Sequence, residues 1–245
     1  MIRILSLGAG VQSSTLALMI AHGELPPVDA AIFADTGAEP VATYEYLRWL
    51  ESKLPFPVIR VSQGDLLHDV MSRKDGFNPI PAYRGGSIGR RQCTFQYKLR
   101  PLHRKMRELA GLGKGERSDG VQVDCLIGIS HDEVFRMKPS QDKWRVHSWP
   151  LVDLRMTRGH CLEWMEKKGY PKPPRSACVF CPYRADKEWR ELAGVDFAQA
   201  VKVDESLREH GEYLHRSEQP LSGVDFTDST QVDFFSNECE GMCGI

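Results

Sequence analysis

Residues 4–18 read "ILSLGAGVQSSTLAL". An apolar run ends at Leu7, two glycines and two serines follow, and an apolar helical pattern then resumes. The order predicts a strand over Ile2–Leu7, a tight turn, and a helix over Ser13–His22. Gly8 and Gly10 let the backbone approach an anion closely, and Ser13 and Ser14 add hydroxyl donors. A helix start supplies free N–H groups with a partial positive charge. Phosphate is the ligand this chemistry suits. The turn is neither G-x-G-x-x-G nor a Walker A loop, because the terminal Lys-Ser/Thr is missing.

Working outward, "LPPVDAAIFADTG" gives a turn and a second apolar strand that ends at Asp35-Thr36-Gly37. "EPVATYEYLRWLESK" carries Val41, Tyr44, Leu47 and Leu50 at helical spacing, and "FPVIRVS" is a third strand. Strand and helix alternating in this way predict a doubly wound, mostly parallel α/β sheet with right-handed crossovers. Ligands in such sheets lie beyond the carboxyl ends of the strands, where Ser6–Ser14 and Asp35–Gly37 both fall. Asp35 has a second reading, as a helix N-cap.

Residues 75–97 are rich in Gly, Pro and Arg and read as irregular, with a helix over Arg100–Ala110 after them. A fourth strand, "VDCLIGI", passes Gly128 and leads into "SHDEVFRM"; "HSWPLVDL" reads as a further short extended piece. "TRGHCLEWMEKKG" is a helix with a glycine stop, and "YPKPPRSACVFCPYR" a proline-bounded loop with a CxxC. Helices over Ala185–Leu192 and around Ala198–Glu209 precede a tail ending "NECEGMCGI". These features divide the chain near residue 150. Residues 1–150 form the α/β part and 151–245 a helical and loop appendage packed on it, bearing cysteines.

The 245 residues are 41% hydrophobic and 27% charged, with a net charge of −1, as expected of a soluble globular chain with a sizeable core. There is no apolar run of the roughly 20 residues that a membrane span needs. The first residues do not read as a secretory signal, so the expected location is the cytoplasm, without membrane. Seven cysteines in such a chain point to thiols, metal ligands or redox groups rather than a disulfide framework.

Cys178 and Cys181 can bind one metal centre or form a redox pair, and Pro182 after the second is shared with iron–sulfur loops. Cys93 lies among Arg84, Arg90 and Arg91 and reads as exposed. Cys239 and Cys243 lie in the polar tail. Cys125 and Cys161 read as ordinary buried residues. Three thiols plus one from the tail satisfy tetrahedral zinc or a [4Fe–4S] cluster, and spacing does not choose between them. Basic residues gather from Arg84 through Lys98, Arg100, Arg104 and Lys105 to Arg107. Arg90 and Arg91, beside glycines, suit phosphate recognition. His131, just past a strand end, is the one histidine placed for a site role.

"SLGAGVQSST", "IFADTGAEPVATYEYLRWLE", "CTFQYKLRPLHR", "LIGISHDEVFRM", "WPLVDL" and "CVFCP", in this order, resemble the PP-loop adenine nucleotide α-hydrolase superfamily. The branch they are similar to holds the phosphoadenosine phosphosulfate (PAPS) reductases, and the likeness covers roughly residues 2–185. It implies the HUP-type fold and an adenine nucleotide, ATP or a sulfonucleotide, held by Ser6, Gly8, Gly10, Gln12, Ser13, Ser14, Asp35 and Thr36. Gly128, Ser130, His131, Arg90 and Arg91 are expected around the same ligand.

The resemblance also implies a [4Fe–4S] cluster on Cys93, Cys178 and Cys181, with Cys239 or Cys243 as fourth ligand or mobile catalytic thiol. Two departures stand out. Gln12 occupies the place where ATP-cleaving members carry an acid, and Gln92 stands where cluster-bearing reductases have the first cysteine of a pair. If ATP is split, magnesium needs carboxylates from elsewhere, and Asp35, Asp132 and Glu133 are the candidates.

Three functions follow as expectations. One is ATP-dependent adenylation of DNA or tRNA with sulfur insertion, served by a cysteine desulfurase. Another is a thiol-dependent sulfonucleotide reductase, served by thioredoxin. The third is a non-catalytic nucleotide-binding cluster subunit of a larger complex.

Overall fold

The computed structural model describes residues 1–73, 77–192 and 194–227. Five strands form one sheet: β1 (Ile2–Leu7), β2 (Ala30–Asp35), β3 (Val58–Ser62), β6 (Val123–Ile127) and β7 (Arg145–Ser148). Their order is β3-β2-β1-β6-β7 and every pairing is parallel. The chain winds leftward through β1, β2 and β3, then crosses back to β6 and β7. The reversal falls between β1 and β6, where an open α/β sheet forms its ligand crevice.

Alternation along β1 sends neighbouring residues to opposite faces. Leu5 and Leu7 meet α1 (Val11–Ala21), α2 (Val41–Glu51) and α6 (Arg158–Lys167) in a core containing Leu16, Phe33 and Leu47. Ile4 faces the other way, with Ile32, Cys125 and Ile127, onto Leu102 and Met106 of α4 (Arg100–Leu109). Cys125 and Cys161 are both fully buried in these cores.

The chain beyond residue 150 divides between two cores. Leu151 of α5 (Pro150–Asp153), with Cys161 and Met165 of α6, joins the same core as Leu5 and Phe33. Val179, Phe180 and Trp189 build a separate apolar body with α3 (Leu66–Ser72), α7 (Asp186–Glu191) and α8 (Gly194–Arg208). Among the described residues no helix is long and apolar enough to cross a membrane.

Three local expectations need correction. The segment 75–97 is not wholly irregular. It contains a small hairpin, β4 (Tyr83–Arg84) with β5 (Ser87–Ile88), turned by Gly85 and Gly86 with φ +59° and +74°. The helix leading into α4 also begins earlier, as a π-helical turn over Thr94–Leu99. Pro101 lacks an N–H and crowds the carbonyl four residues back, so the change of pitch falls just ahead of it. Finally, "HSWPLVDL" leaves the strand at Ser148, and Pro150, fitted to a first helical turn, opens α5.

Candidate functional site

β1 ends at Leu7 and α1 begins at Val11, so three residues make the whole turn. Ala9 is fully buried with φ +57°, a left-handed conformation that costs a non-glycine residue about 1 kcal/mol. The Gly8 N–H donates to Ser13 Oγ (3.2 Å), folding the turn back on the helix start. Among the described residues no side chain caps α1. Ser14 Oγ is buried and has no hydrogen-bond partner among the described residues. Ser6 lies within β1, also buried.

The turn rests on the end of β6. A Cβ on Gly128 would stand 2.8 Å from the Ser13 nitrogen and 3.0 Å from its Cα. Only glycine permits that approach, which gives Gly128 a packing role beneath the loop.

Gln12 is buried in a polar network. Its amide nitrogen donates to Glu133 Oε2 (3.2 Å) and lies 3.4 Å from Ser130 Oγ. Its carbonyl accepts from Arg158 at 3.3 Å. Arg136 pairs with Glu133 at 2.8 Å, both side chains nearly inaccessible, and Glu133 Oε1 has no hydrogen-bond partner among the described residues. A buried carboxylate thus stands beside Gln12, held by a guanidinium. Asp132 and His131 are exposed instead. Asp132 accepts from the Arg158 backbone N–H at the start of α6 (3.1 Å), and the His131 N–H donates to the Met156 carbonyl.

At the end of β2, Asp35 accepts from the Gly37 N–H (2.9 Å) and from the Tyr44 hydroxyl (2.7 Å). Burial, and then Asp35 itself, hold the Tyr44 hydroxyl well above its ordinary pKa, so it stays a donor. Thr36 turns the other way. Its buried hydroxyl lies 3.5 Å from Cys178 Sγ.

Cys93, Cys178 and Cys181 line one small cavity of about 30 Å³, with Thr36, Arg91 and Lys98. Cys93 is half-buried and packs against the core around Phe180, so the exposed placement expected for it is wrong. A tight turn, Cys181 N–H to Cys178 carbonyl at 3.0 Å, closes the CxxC.

Two buried cations stand by. Arg184 donates to the carbonyls of Ala177 (3.0 Å) and Cys178 (3.1 Å), and Lys98 pairs with Glu39 at 3.0 Å. Burial pushes the Cys178 thiol up, as does the charge of Glu39, while Lys98 pulls it down. Among the described residues no group of three or more His, Cys, Asp or Glu side chains is close enough together to hold a metal ion. Cys239 and Cys243 lie outside the described residues.

Arg91 covers the Tyr183 ring at 5.3 Å and belongs to the thiol cavity, whereas Arg90 is exposed. The Gly8–Gly10 turn and the thiol cavity are joined directly. Ser176, two residues before Cys178, donates its hydroxyl to the Gly8 carbonyl. Ser176, Arg158, Arg136 and Arg184 carried no signal in the sequence, because their partnerships are made by folding; Arg158 and Gln12 are 146 residues apart.

No protein-family profile matches this sequence, and no curated protein does. In three dimensions the chain is similar to phosphoadenylyl-sulfate (PAPS) reductase from Candida auris, solved as a phosphate complex. The TM-score is 0.50 at 14% identity, over 70% of this chain and 74% of that one. The likeness is one of fold: a parallel, doubly wound α/β sheet of the HUP type.

Proposed function

We propose that the chain is an adenine-nucleotide-binding PP-loop enzyme of sulfur chemistry, acting by ATP-dependent adenylation of a nucleic acid and sulfur insertion. The observation that carries this reading is the joining of an anion-ready turn to a three-thiol cavity through Ser176–Gly8 and Thr36–Cys178. The reductase of similar fold was solved as a phosphate complex.

In this reading the Gly8–Ser14 turn and the start of α1 hold the phosphates. Asp35 and Tyr44 border the sugar or base. Glu133, the buried carboxylate nearest the turn, is the candidate partner of a magnesium ion, with Ser130 beside it. An acceptor oxygen attacks the α-phosphorus, pyrophosphate leaves, and a sulfur nucleophile then displaces AMP. Cys93, Cys178 and Cys181 would hold a [4Fe–4S] cluster, with Cys239 or Cys243 as the fourth thiol, and the cluster when bound would carry or relay sulfur. Lys98 and Arg184 offset the negative charge of bound thiolates.

Pyrophosphate release from ATP, measured with and without DNA or tRNA, tests the reaction; release that nucleic acid does not raise counts against it. Iron and sulfide analysis of anaerobically purified protein tests the cluster. Zinc at one per chain, or full iron retention in the Cys178→Ser, Cys181→Ser double variant, overturns that assignment. Gln12 favours a second reading, since its amide fills the acid's place and Glu133 is already paired with Arg136. That reading is a sulfonucleotide reductase, and thioredoxin-dependent sulfite release would establish it.

A further inference from the structure

Parallel strands are normally joined by a helical crossover that covers one face of the sheet. Between β6 and β7 the chain instead makes one 3₁₀ turn, His131–Arg136, and an irregular return. Arg145 and His147 pair with Val123 and Cys125, which face α4. Their half of that face is left as a cleft of about 470 Å³ between α4, the 136–142 segment and β7. Its size is that of a site for a nucleotide-sized ligand.

The lining is basic and aromatic. Phe95, half exposed, stands at the rim with the Arg100 guanidinium over its ring at 5.4 Å. Lys138 is exposed beside them, and Asp142, paired with Arg145 at 2.9 Å, is the acid of the lining. His147 and Trp149, which also line the cleft, carry two polar atoms with no hydrogen-bond partner among the described residues, Nε2 and Nε1. His147 Nδ1 meets the Lys138 carbonyl at 2.9 Å and must donate there, so its Nε2 is an acceptor, while Trp149 Nε1–H is a donor. Arg136 lines the same cleft and pairs with Glu133, which accepts from Gln12 of the phosphate turn. The cleft is thus linked to the start of α1 through Arg136 and Glu133.

We propose that this cleft binds single-stranded nucleic acid, taking one unstacked nucleotide with its base against Phe95 and its phosphates against Arg100 and Lys138. Aromatic stacking and cations along a backbone are the means by which proteins hold single strands. A base inside a duplex could not enter. The inference deepens the proposed function by locating its acceptor, and its binding step stands apart from the chemistry.

The test uses the full chain and a labelled single strand of about 12 nucleotides, followed by fluorescence anisotropy over a range of salt. Phe95→Ala is expected to weaken binding about ten-fold. Arg100→Gln with Lys138→Gln should lower the slope of log affinity against log salt by about 1.4, or about 0.7 for each cation. Matching thermal denaturation of parent and variants shows that the fold is kept.

Affinity unchanged in both variants overturns the proposal. So does a duplex that competes as well as the strand, or excess ATP that displaces the strand. The two readings fail separately. Strand binding through Phe95 without any ATP binding leaves the cleft standing and removes the adenylating enzyme. ATP binding with strand affinity indifferent to Phe95 does the reverse.

Discussion

Gly128 carries no side chain, yet the turn after β1 and the start of α1 depend on it. A methyl group there would stand 2.8 Å from the Ser13 nitrogen, which cannot yield without moving the helix start. Gly128→Ala is therefore expected to cost about 1–3 kcal/mol of stability, as overpacked sites do. It should also weaken ATP binding at least several-fold, read by calorimetry; parental affinity would show that the turn tolerates displacement. His147 offers a second test at this scale. Burial holds its pKa below the ordinary value, so the folded chain resists protonating it while the unfolded chain does not. The unfolded state then binds more protons, and stability is lost as pH falls through the ordinary histidine range, about 6.5. His103 is shifted the same way by burial, with Asp142 opposing. Urea midpoints that fall from about pH 7.5 to pH 5.5, and fall less in His147→Gln, are the expected result.

Helix α6 shows how an element positions a site residue. Thr157 accepts from the His160 N–H (3.2 Å), and His160 Nδ1 accepts from the Thr157 N–H (3.3 Å), a reciprocal cap. That cap fixes the first turn, from which Arg158 reaches Gln12. Thr157→Ala should cost about 1 kcal/mol in urea denaturation. A loss below a few tenths would mean that packing on α1 alone defines the helix start. Although only the last two residues of β7 fell within the extended piece read there, β1, β2, β3 and β6 were legible as short apolar runs and α2 by its helical apolar spacing. The π turn over Thr94–Leu99 was not, since Pro101 looks like a helix start whatever precedes it. Cys93 was misjudged for a related reason: its arginine neighbours are polar in sequence, but Ile80, Pro81 and Phe180 meet it in space. The Gln12–Glu133–Arg136 network was invisible as a network, although Gln12 and Glu133 were each singled out.

In the whole molecule, two apolar bodies meet at the carboxyl ends of β1 and β2. One is the sheet with its helices; the other surrounds the CxxC loop. The seam between them carries the Ser176–Gly8 hydrogen bond, the Thr36–Cys178 contact and the Val179 N–H to Ala38 carbonyl bond (2.8 Å). If the two centres work as one site, loosening the seam must alter the turn without dismantling the thiol cavity. Ser176→Ala removes a buried donor and leaves the Gly8 carbonyl to find another partner. Losing such a bond costs about 1–3 kcal/mol, so ATP affinity measured by calorimetry should fall several-fold or more. Iron content should hold at the parental level, because Ser176 contributes no thiol. Lys98→Met makes the opposite change: it strands the buried Glu39 beside Cys178, and iron should be lost while the turn keeps its nucleotide. Adding Glu39→Gln to Lys98→Met should restore iron binding, since the uncompensated charge is gone. Unchanged ATP affinity in Ser176→Ala would show that the turn and the thiol cavity are neighbours without being coupled.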